Sequence, residues 1–343
     1  MRFIILGAGA IGCYVGGRLA VAGQNVTLVG RPRVIEHLAV NGLTVSDLDG
    51  FKAHLEASGL QLALSLGEAL GAKSGPQESD GALVILLCVK GGASESAARE
   101  IAQACPSGTT VVSLQNGVDN VGRIATHASH MKVLAGMVPY NVVMANPTHV
   151  HRATTGSLAM ARSTVSEQMV PAFNAAGLPL ELVDDMRAVQ WGKLLLNLNN
   201  PINALSDLPL LAQLQDRDLR GVLADLQSEA LVVLAAAGIK PAKVAAVSPH
   251  ALPQLLRLPN WIFKRLAARM LRIDATARSS MADDLRAGRV TEVDDLCGAV
   301  VRLARASGSS APMNQAMCHL VAAHRPGHAM SGQDIRQAMK HRA

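Results

Sequence analysis

A short apolar run, Phe3-Ile4-Ile5-Leu6, meets Gly7-Ala8-Gly9-Ala10-Ile11-Gly12 near the start of the chain. Such a run feeding a glycine-rich turn predicts a buried strand followed by a helix. The alternation continues, with Asn25 to Val29, Ala82 to Val89 and Thr110 to Leu114 reading as strands and Ser94 to Ala104 as a helix. Leu43 to Leu60 reads as a small hairpin around Asp47 to Gly50, and Ser74 to Asp80 as a polar loop. Lys132 to Met137, Asn141 to Met144 and Ser157 to Ala161 are expected to complete the sheet. From about Met186 the apolar spacing becomes helical, most clearly over Leu219 to Ala237 and Asp294 to Ala306. Strands alternating with helices, then helices alone, predict an α/β doubly wound sheet followed by a mostly α-helical domain.

The glycine spacing gives the first domain a chemistry. Gly7 permits a tight turn, Gly9 lets backbone N–H groups approach a pyrophosphate, and Gly12 lets the helix pack closely on the strand. The helix N-terminus adds partial positive charge where phosphates would sit. Residues 1–180 are therefore expected to form a Rossmann-type dinucleotide-binding domain, and residues 181–343 a helical substrate and catalytic domain. A secretory signal ending at Ala20-Val21-Ala22 is the competing reading of the first residues. Arg18 interrupts the apolar stretch and recurrent glycines suit close packing, so the dinucleotide reading is preferred. The second strand ends Leu28-Val29-Gly30-Arg31-Pro32-Arg33. A carboxylate for the ribose hydroxyls of NAD is missing there, and guanidinium groups suited to a 2′-phosphate stand in its place, which favours NADP(H).

At 343 residues, with 49% hydrophobic and 17% charged residues, the chain is read as globular and without a membrane span. A net charge of +6 suits small anionic ligands. The most basic stretch, Arg257 to Arg278, carries Lys264, Arg265, Arg269 and Arg272 among apolar residues and reads as a solvated helix face. Only Trp261 and Phe263 there could stack on bases, so no nucleic-acid partner is expected. Five scattered cysteines fit free thiols in a reducing cytoplasm. His127 with His130, His149 with His151, and Cys318, His319, His324 and His328 are the metal-like clusters. None has a convincing ligand pattern, and no metal is expected.

Three constellations carry candidate chemistry. In Trp191-Gly192-Lys193-Leu194-Leu195-Leu196-Asn197-Leu198-Asn199-Asn200-Pro201, the residues Lys193, Asn197 and Asn200 fall at i, i+4 and i+7 and are expected on one helix face. A polar stripe in an apolar helix must be satisfied or line a cavity. In Ser279 to Asp294, Gly288 reads as a helix stop, and Thr291 with Asp294 as a cap that places Glu292 in the first turn of the next helix. Gln115-Asn116-Gly117 follows a strand end, where open α/β sheets bind ligands.

Together these residues resemble the ketopantoate reductase (2-dehydropantoate 2-reductase) family across nearly the whole chain. The marks are GAGAIG at Gly7 to Gly12, Arg31, Lys90, QNG at Gln115 to Gly117, WGKLLLN at Trp191 to Asn197 and SSMADDLRAGRVTEVD at Ser279 to Asp294. The resemblance implies Lys193 as the catalytic acid, with Glu292 helping to hold the cofactor and the substrate's hydroxyl end. It implies Asn197, Asn200 and Ser280 on the substrate and Asn116 between cofactor and substrate. Gly7, Ala8, Gly9, Ala10, Ile11, Gly12, Arg31 and Lys90 would hold the NADP. The implied reaction is NADPH-dependent reduction of ketopantoate to pantoate, on the route to pantothenate and coenzyme A, in a cleft where the two domains meet. A homodimer is compatible with this reading. The alternatives are a reductase of a different 2-keto acid, or an NADP-binding sensor without catalysis.

Two departures bear on the substrate. The family's second asparagine stands eight residues after the lysine and just before proline, whereas Asn200 precedes Pro201 at a spacing of seven. A further family asparagine would fall in Ser206 to Leu210, which contains none.

Overall fold

The strand signals at Phe3, Val26 and Val84 converge on the parallel centre of a mixed sheet. A computed structural model describes residues 1–71, 82–244, 247–268, 277–325 and 327–341. They divide into two compact units, Met1–Met186 and Arg187–Ala343. In the first, the strands are β1 (Arg2–Leu6), β2 (Asn25–Val29), β3 (Leu43–Asp47), β4 (Lys52–Leu55), β5 (Gln61–Ala63) and β6 (Leu83–Leu87). They continue with β7 (Thr110–Ser113), β8 (Lys132–Met137), β9 (Val142–Asn146), β10 (His149–Arg152), β11 (Leu158–Ala161) and β12 (Leu180–Val183). The helices are α1 (Ala10–Val21), α2 (Pro32–Asn41), α3 (Leu66–Gly71), α4 (Ser94–Ala104), α5 (Asn120–His127) and α6 (Thr164–Ala175).

The main sheet has eight strands in the order β12-β11-β8-β7-β6-β1-β2-β5. β1 lies between parallel neighbours, with Phe3 beside both Val26 and Val84. Strands buried on both faces read as continuous apolar runs, which is why they are visible in the sequence. The polar loop expected at Ser74 to Asp80 lies outside the described residues.

The structure corrects one strand assignment. Asn141 to Met144 was expected in the main sheet, but β9 joins β10, β3 and β4 in a separate four-stranded sheet, ordered β4-β3-β10-β9. The hairpin of β3 and β4 is thus half of a larger structure. Its alternation explains the second layer: Leu43, Val45 and Val150 are buried, whereas Thr44, His149 and His151 are only partly covered. A side chain on Gly17 of α1 would come within 2.8 Å of Val45 Cγ1, so the second sheet lies directly against that helix. His149 Nε2 and His151 Nδ1 each lie 2.8 Å from Ser46 Oγ. No group of three or more metal-ligating side chains occurs among the described residues.

Arg18 explains its own intrusion into an apolar helix. Its Nη1 lies 2.8 Å from Asp47 Oδ2, its Nε donates to the Ala176 carbonyl at 2.9 Å, and its guanidinium carbon sits 3.7 Å from the Phe51 ring centroid. One buried cation therefore ties α1 to the small sheet and to the end of α6.

The second unit is helical. Its elements are α7 (Met186–Asn197), α8 (Asn199–Ser206), α9 (Leu210–Gln215), α10 (Arg217–Ala236), α11 (Leu252–Arg257) and α12 (Asn260–Leu266). The remainder are α13 (Ser280–Arg286), α14 (Val293–Ala306), α15 (Pro312–Ala323) and α16 (Gly332–Lys340). Asp216 caps α10 by accepting from the N–H groups of Asp218 and Leu219 at 2.8 and 2.9 Å. Within α10, Arg220 is fully buried. It donates to the carbonyls of Leu214, Leu256 and Leu258 and to Asn260 Oδ1, and lies 4.1 Å over the Phe263 ring. Phe263 is thus a core residue, not a surface for bases, while Lys264 and Arg265 face solvent. Arg269 and Arg272 lie outside the described residues. Among the described residues, no helix is long and apolar enough to cross a membrane.

Candidate active site

The glycine turn is built by steric exclusion. Gly7 has φ +114°, and a side chain there would lie 2.7 Å from the Val89 amide nitrogen. On Gly12 it would lie 2.1 Å from the Gly7 carbonyl oxygen, so α1 meets the turn only because Gly12 has no Cβ. At Gly9 the same test finds nothing within 4 Å, and the residue is exposed. The amides of Gly7 and Ala8 both bond to the Val29 carbonyl at 2.9 Å, which fixes the turn to the end of β2. Ala10, Ile11 and Gly12 form the first turn of α1, where amides lack intrahelical acceptors.

The other residues predicted for the cofactor lie at neighbouring strand ends. Arg31 follows β2 as the N-cap of α2, and both it and Arg33 are exposed. Lys90 follows β6 and is exposed, and half-buried Asn116 follows β7. Gly7 to Gly12, Arg31, Lys90 and Asn116 are thus gathered at the carboxyl ends of β1, β2, β6 and β7, adjacent parallel strands.

Sequence reading singled out Asn116 and missed what holds it. Gln115 is buried and donates from Nε2 to the Val89 carbonyl at 2.9 Å and to Ser94 Oγ at 2.7 Å, while its Oε1 accepts from Ser113 Oγ at 3.0 Å. Asn120 donates to the Asn116 carbonyl at 2.6 Å and accepts from Ser94 Oγ at 3.1 Å. The amide beside Asn116 in QNG was the available signal, but Ser94 and Asn120 come from elements with no motif of their own.

In the helical unit, α7 carries Lys193 and Asn197 at helical spacing. A side chain at Gly192 would meet the Ala242 carbonyl at 2.3 Å, and Gln227 Nε2 donates to the Leu195 carbonyl at 2.9 Å, so α7 is fixed closely against its neighbours. The expected single face of Lys193, Asn197 and Asn200 is corrected: α7 ends at Asn197 and α8 begins at Asn199, placing Asn200 on a different helix. Pro201 is the cause. It lacks the N–H that would bond to the Asn197 carbonyl, and its ring crowds that same group.

Lys193 is half-buried. The protein packed around it disfavours the ammonium and pushes its pKa down to about 8, while the negative charge of Glu292 acts in the opposite direction. Glu292 is half-buried and is itself the N-cap of α14, which begins at Val293. That corrects the expectation of Thr291 as cap and Glu292 in the first turn: its φ of −89° and ψ of 23° precede the helix, with no side-chain cap bond. Ser280 is exposed at the first position of α13, behind the buried cap Ser279, whose Oγ accepts from the Ala282 amide at 3.2 Å. Gly288 stands just past the end of α13 with φ +62°, as a helix stop requires.

Residues 3–164 match the family described as Ketopantoate reductase PanE/ApbA, and residues 185–325 match Ketopantoate reductase PanE/ApbA C terminal. The chain belongs to the ketopantoate reductase family. A relative in Pyrococcus horikoshii, named 2-dehydropantoate 2-reductase, is 28% identical over 330 residues, covering 94% of this chain and 97% of that protein. Among solved structures, a PanE/ApbA family ketopantoate reductase from Ralstonia eutropha JMP134 superposes with a TM-score of 0.77 at 29% identity, covering 99% of this chain and all of that one. A D-mandelate dehydrogenase solved with NADH and anilino(oxo)acetate shares the fold, with a TM-score of 0.75 at 19% identity over 94% of this chain and 98% of that one. As a member of the ketopantoate reductase family, the protein is an oxidoreductase. The first unit carries a glycine turn with exposed cations, and the second a lysine of lowered pKa.

Proposed function

We propose that this protein reduces a 2-keto acid with NADPH, ketopantoate being the first candidate substrate. The observation that carries the proposal is the gathering of the glycine turn, Arg31, Lys90 and Asn116 at adjacent strand ends, together with half-buried Lys193 and Asn197 at helical spacing on α7. Burial that brings the Lys193 pKa down to about 8, with Glu292 favouring its charged form, supports it. A general acid works best when its pKa lies near the working pH.

The residues present fit a dinucleotide, because the space beside exposed Gly9 is open and Arg31 stands at the end of β2. Gly7 to Gly12 would hold the pyrophosphate through the first turn of α1, Arg31 and Lys90 would hold the phosphate and ribose region, and Asn116 would lie toward the substrate. When bound, the nicotinamide supplies a hydride. Lys193 then has two tasks: its ammonium attracts the ketone oxygen, and it gives up a proton as alkoxide character develops there. Asn197, Asn200 and Ser280 supply hydrogen bonds to the substrate, and Glu292 keeps Lys193 charged and binds the hydroxyl end.

A second reading, a different 2-keto acid, is supported by the shortened spacing from Lys193 to Asn200 and by the lack of asparagine in Ser206 to Leu210. NADPH oxidation measured with ketopantoate and a panel of other 2-keto acids decides between them. Highest kcat/KM with ketopantoate supports the first, a better substrate elsewhere supports the second, and NADPH binding without turnover of any keto acid leaves a sensor.

A further inference from the structure

Two fully buried amides, Asn203 on α8 and Gln213 on α9, form the centre of a hydrogen-bonded ring in the helical unit. Asn203 Oδ1 accepts from the backbone amide of Ser279 at 2.8 Å. Its Nδ2 donates to the Leu208 carbonyl at 2.9 Å and to Gln213 Oε1 at 3.1 Å. Gln213 Nε2 in turn donates to Asn199 Oδ1 at 2.6 Å, and Asn199 Nδ2 returns a bond to Gln213 Oε1 at 3.3 Å. Both Nδ2 protons and the oxygen of Asn203 are therefore engaged. Reversing that amide would set an NH2 group against the Ser279 N–H, so one orientation is enforced.

This ring joins three separate pieces of chain at the residues proposed for substrate. Asn199 adjoins Asn200, and Ser279 adjoins Ser280. Ser279 Oγ also donates to the Asn200 carbonyl at 3.4 Å, and the Leu210 amide bonds to the Ala277 carbonyl at 2.8 Å. The helix break imposed by Pro201 makes such a tie necessary, because Asn200 is no longer held in line with Lys193 by one continuous helix.

We infer that Asn203 and Gln213 are positioning residues that hold Asn200 and the Ser279-Ser280 turn in the register needed to bind the keto acid. The inference rests on the proposed substrate role of Asn200 and Ser280. It also assigns Asn199 to the ring: of the two adjacent asparagines, Asn200 is the one left to face substrate. Burial makes the arrangement sensitive, since removing one partner leaves others unsatisfied away from water.

The test compares Gln213→Leu, Asn203→Ala and Gln213→Glu in the full-length protein. Gln213→Leu and Asn203→Ala are expected to raise KM for the best keto acid about tenfold, with a smaller change in kcat and NADPH affinity within about twofold of the parent. Gln213→Glu keeps an oxygen for the Nδ2 groups of Asn199 and Asn203 but replaces the donor facing Asn199 Oδ1 with a second acceptor, so it should restore KM only in part. Hydrogen exchange gives a readout that does not depend on the substrate. Amides in 278–282 should exchange faster in the first two variants, while those of α10 and α16 do not change. Unaltered exchange at 278–282 overturns the inference, as does an unaltered KM in an active enzyme or a parallel loss of NADPH affinity and thermal stability. A parent protein inactive toward every keto acid removes the proposed substrate instead, and the exchange comparison still decides whether the ring holds the turn.

Discussion

Lys193 and Glu292 act on one another as ammonium and carboxylate: burial pulls the lysine pKa down to about 8, and the Glu292 charge limits the fall. With protonated Lys193 as the proposed acid, the rate should decline as pH rises through about 8. Glu292→Gln removes the charge that favours the ammonium, and its alkaline limb should move to lower pH. A pH profile of kcat in parent and variant checks this, and a limb at the same or higher pH in Glu292→Gln contradicts it.

Lys193→Ala should lower kcat by roughly 10²-fold or more, the scale of lost general-acid assistance. NADPH affinity, followed by fluorescence titration, should barely change. A variant that binds NADPH normally and turns over near the parental rate would show that the proton comes from elsewhere.

Arg31 faces solvent at the end of β2, the position from which a 2′-phosphate would be read. The parent should prefer NADPH to NADH in kcat/KM, and Arg31→Ala should narrow that preference mainly by weakening NADPH. Equal efficiency with both cofactors in the parent would remove the assignment.

Gly12→Ala sets a methyl 2.1 Å from the Gly7 oxygen, and that neighbour is backbone that has to move. Overpacking of this kind costs about 1–3 kcal/mol, and displacement of the turn should also weaken NADPH binding. Urea denaturation beside cofactor titration gives both quantities; an unchanged midpoint with unchanged binding would mean that α1 shifts freely.

Asp47 is buried against Arg18. Its burial alone would raise the carboxyl pKa, but the Phe51 amide and the guanidinium groups of Arg152 and Arg18 outweigh that and lower it. A depressed carboxylate pKa stabilises the fold above the unfolded-state value, and the contribution is lost as pH falls through the folded-state value. Asp47→Asn should cost about 3–5 kcal/mol at neutral pH, the range for breaking a buried pair, and should flatten the acid dependence of stability. Thermal melts from pH 7 to pH 3 measure both, and parallel curves for the two proteins would refute the claim.

What could be read from the residues follows how local each constraint is. Gly7 answers to a turn a few residues long, and β1, β2 and β6 are covered on both faces, so their signals survive in isolation. β9 could not be placed, because its apolar residues say that it is a strand but not which sheet it joins. Pro201 was in plain view, yet its effect falls four residues earlier, at Asn197. Thr291 and Asp294 have the composition of a helix cap, and the chain begins the helix after Glu292 instead. Asn203 and Gln213 carried no signal at all: each is an ordinary amide until the fold brings them to Ser279.

The small sheet behind α1 also constrains the order in which the chain can fold. Ser46 and His151, joined across β3 and β10, are 105 residues apart, and Arg18 is 158 residues from the Ala176 carbonyl that it binds. As the chain leaves the ribosome, α1 and the hairpin of β3 and β4 emerge long before β10 and the end of α6. Closing such distant pairs is slow compared with forming local turns. Until β10 arrives, β3 has an open edge and the apolar side chains of Leu43 and Val45 lack part of their cover. An unpaired β3 edge is a template for pairing with another nascent chain, a hazard that the arrival of β10 removes.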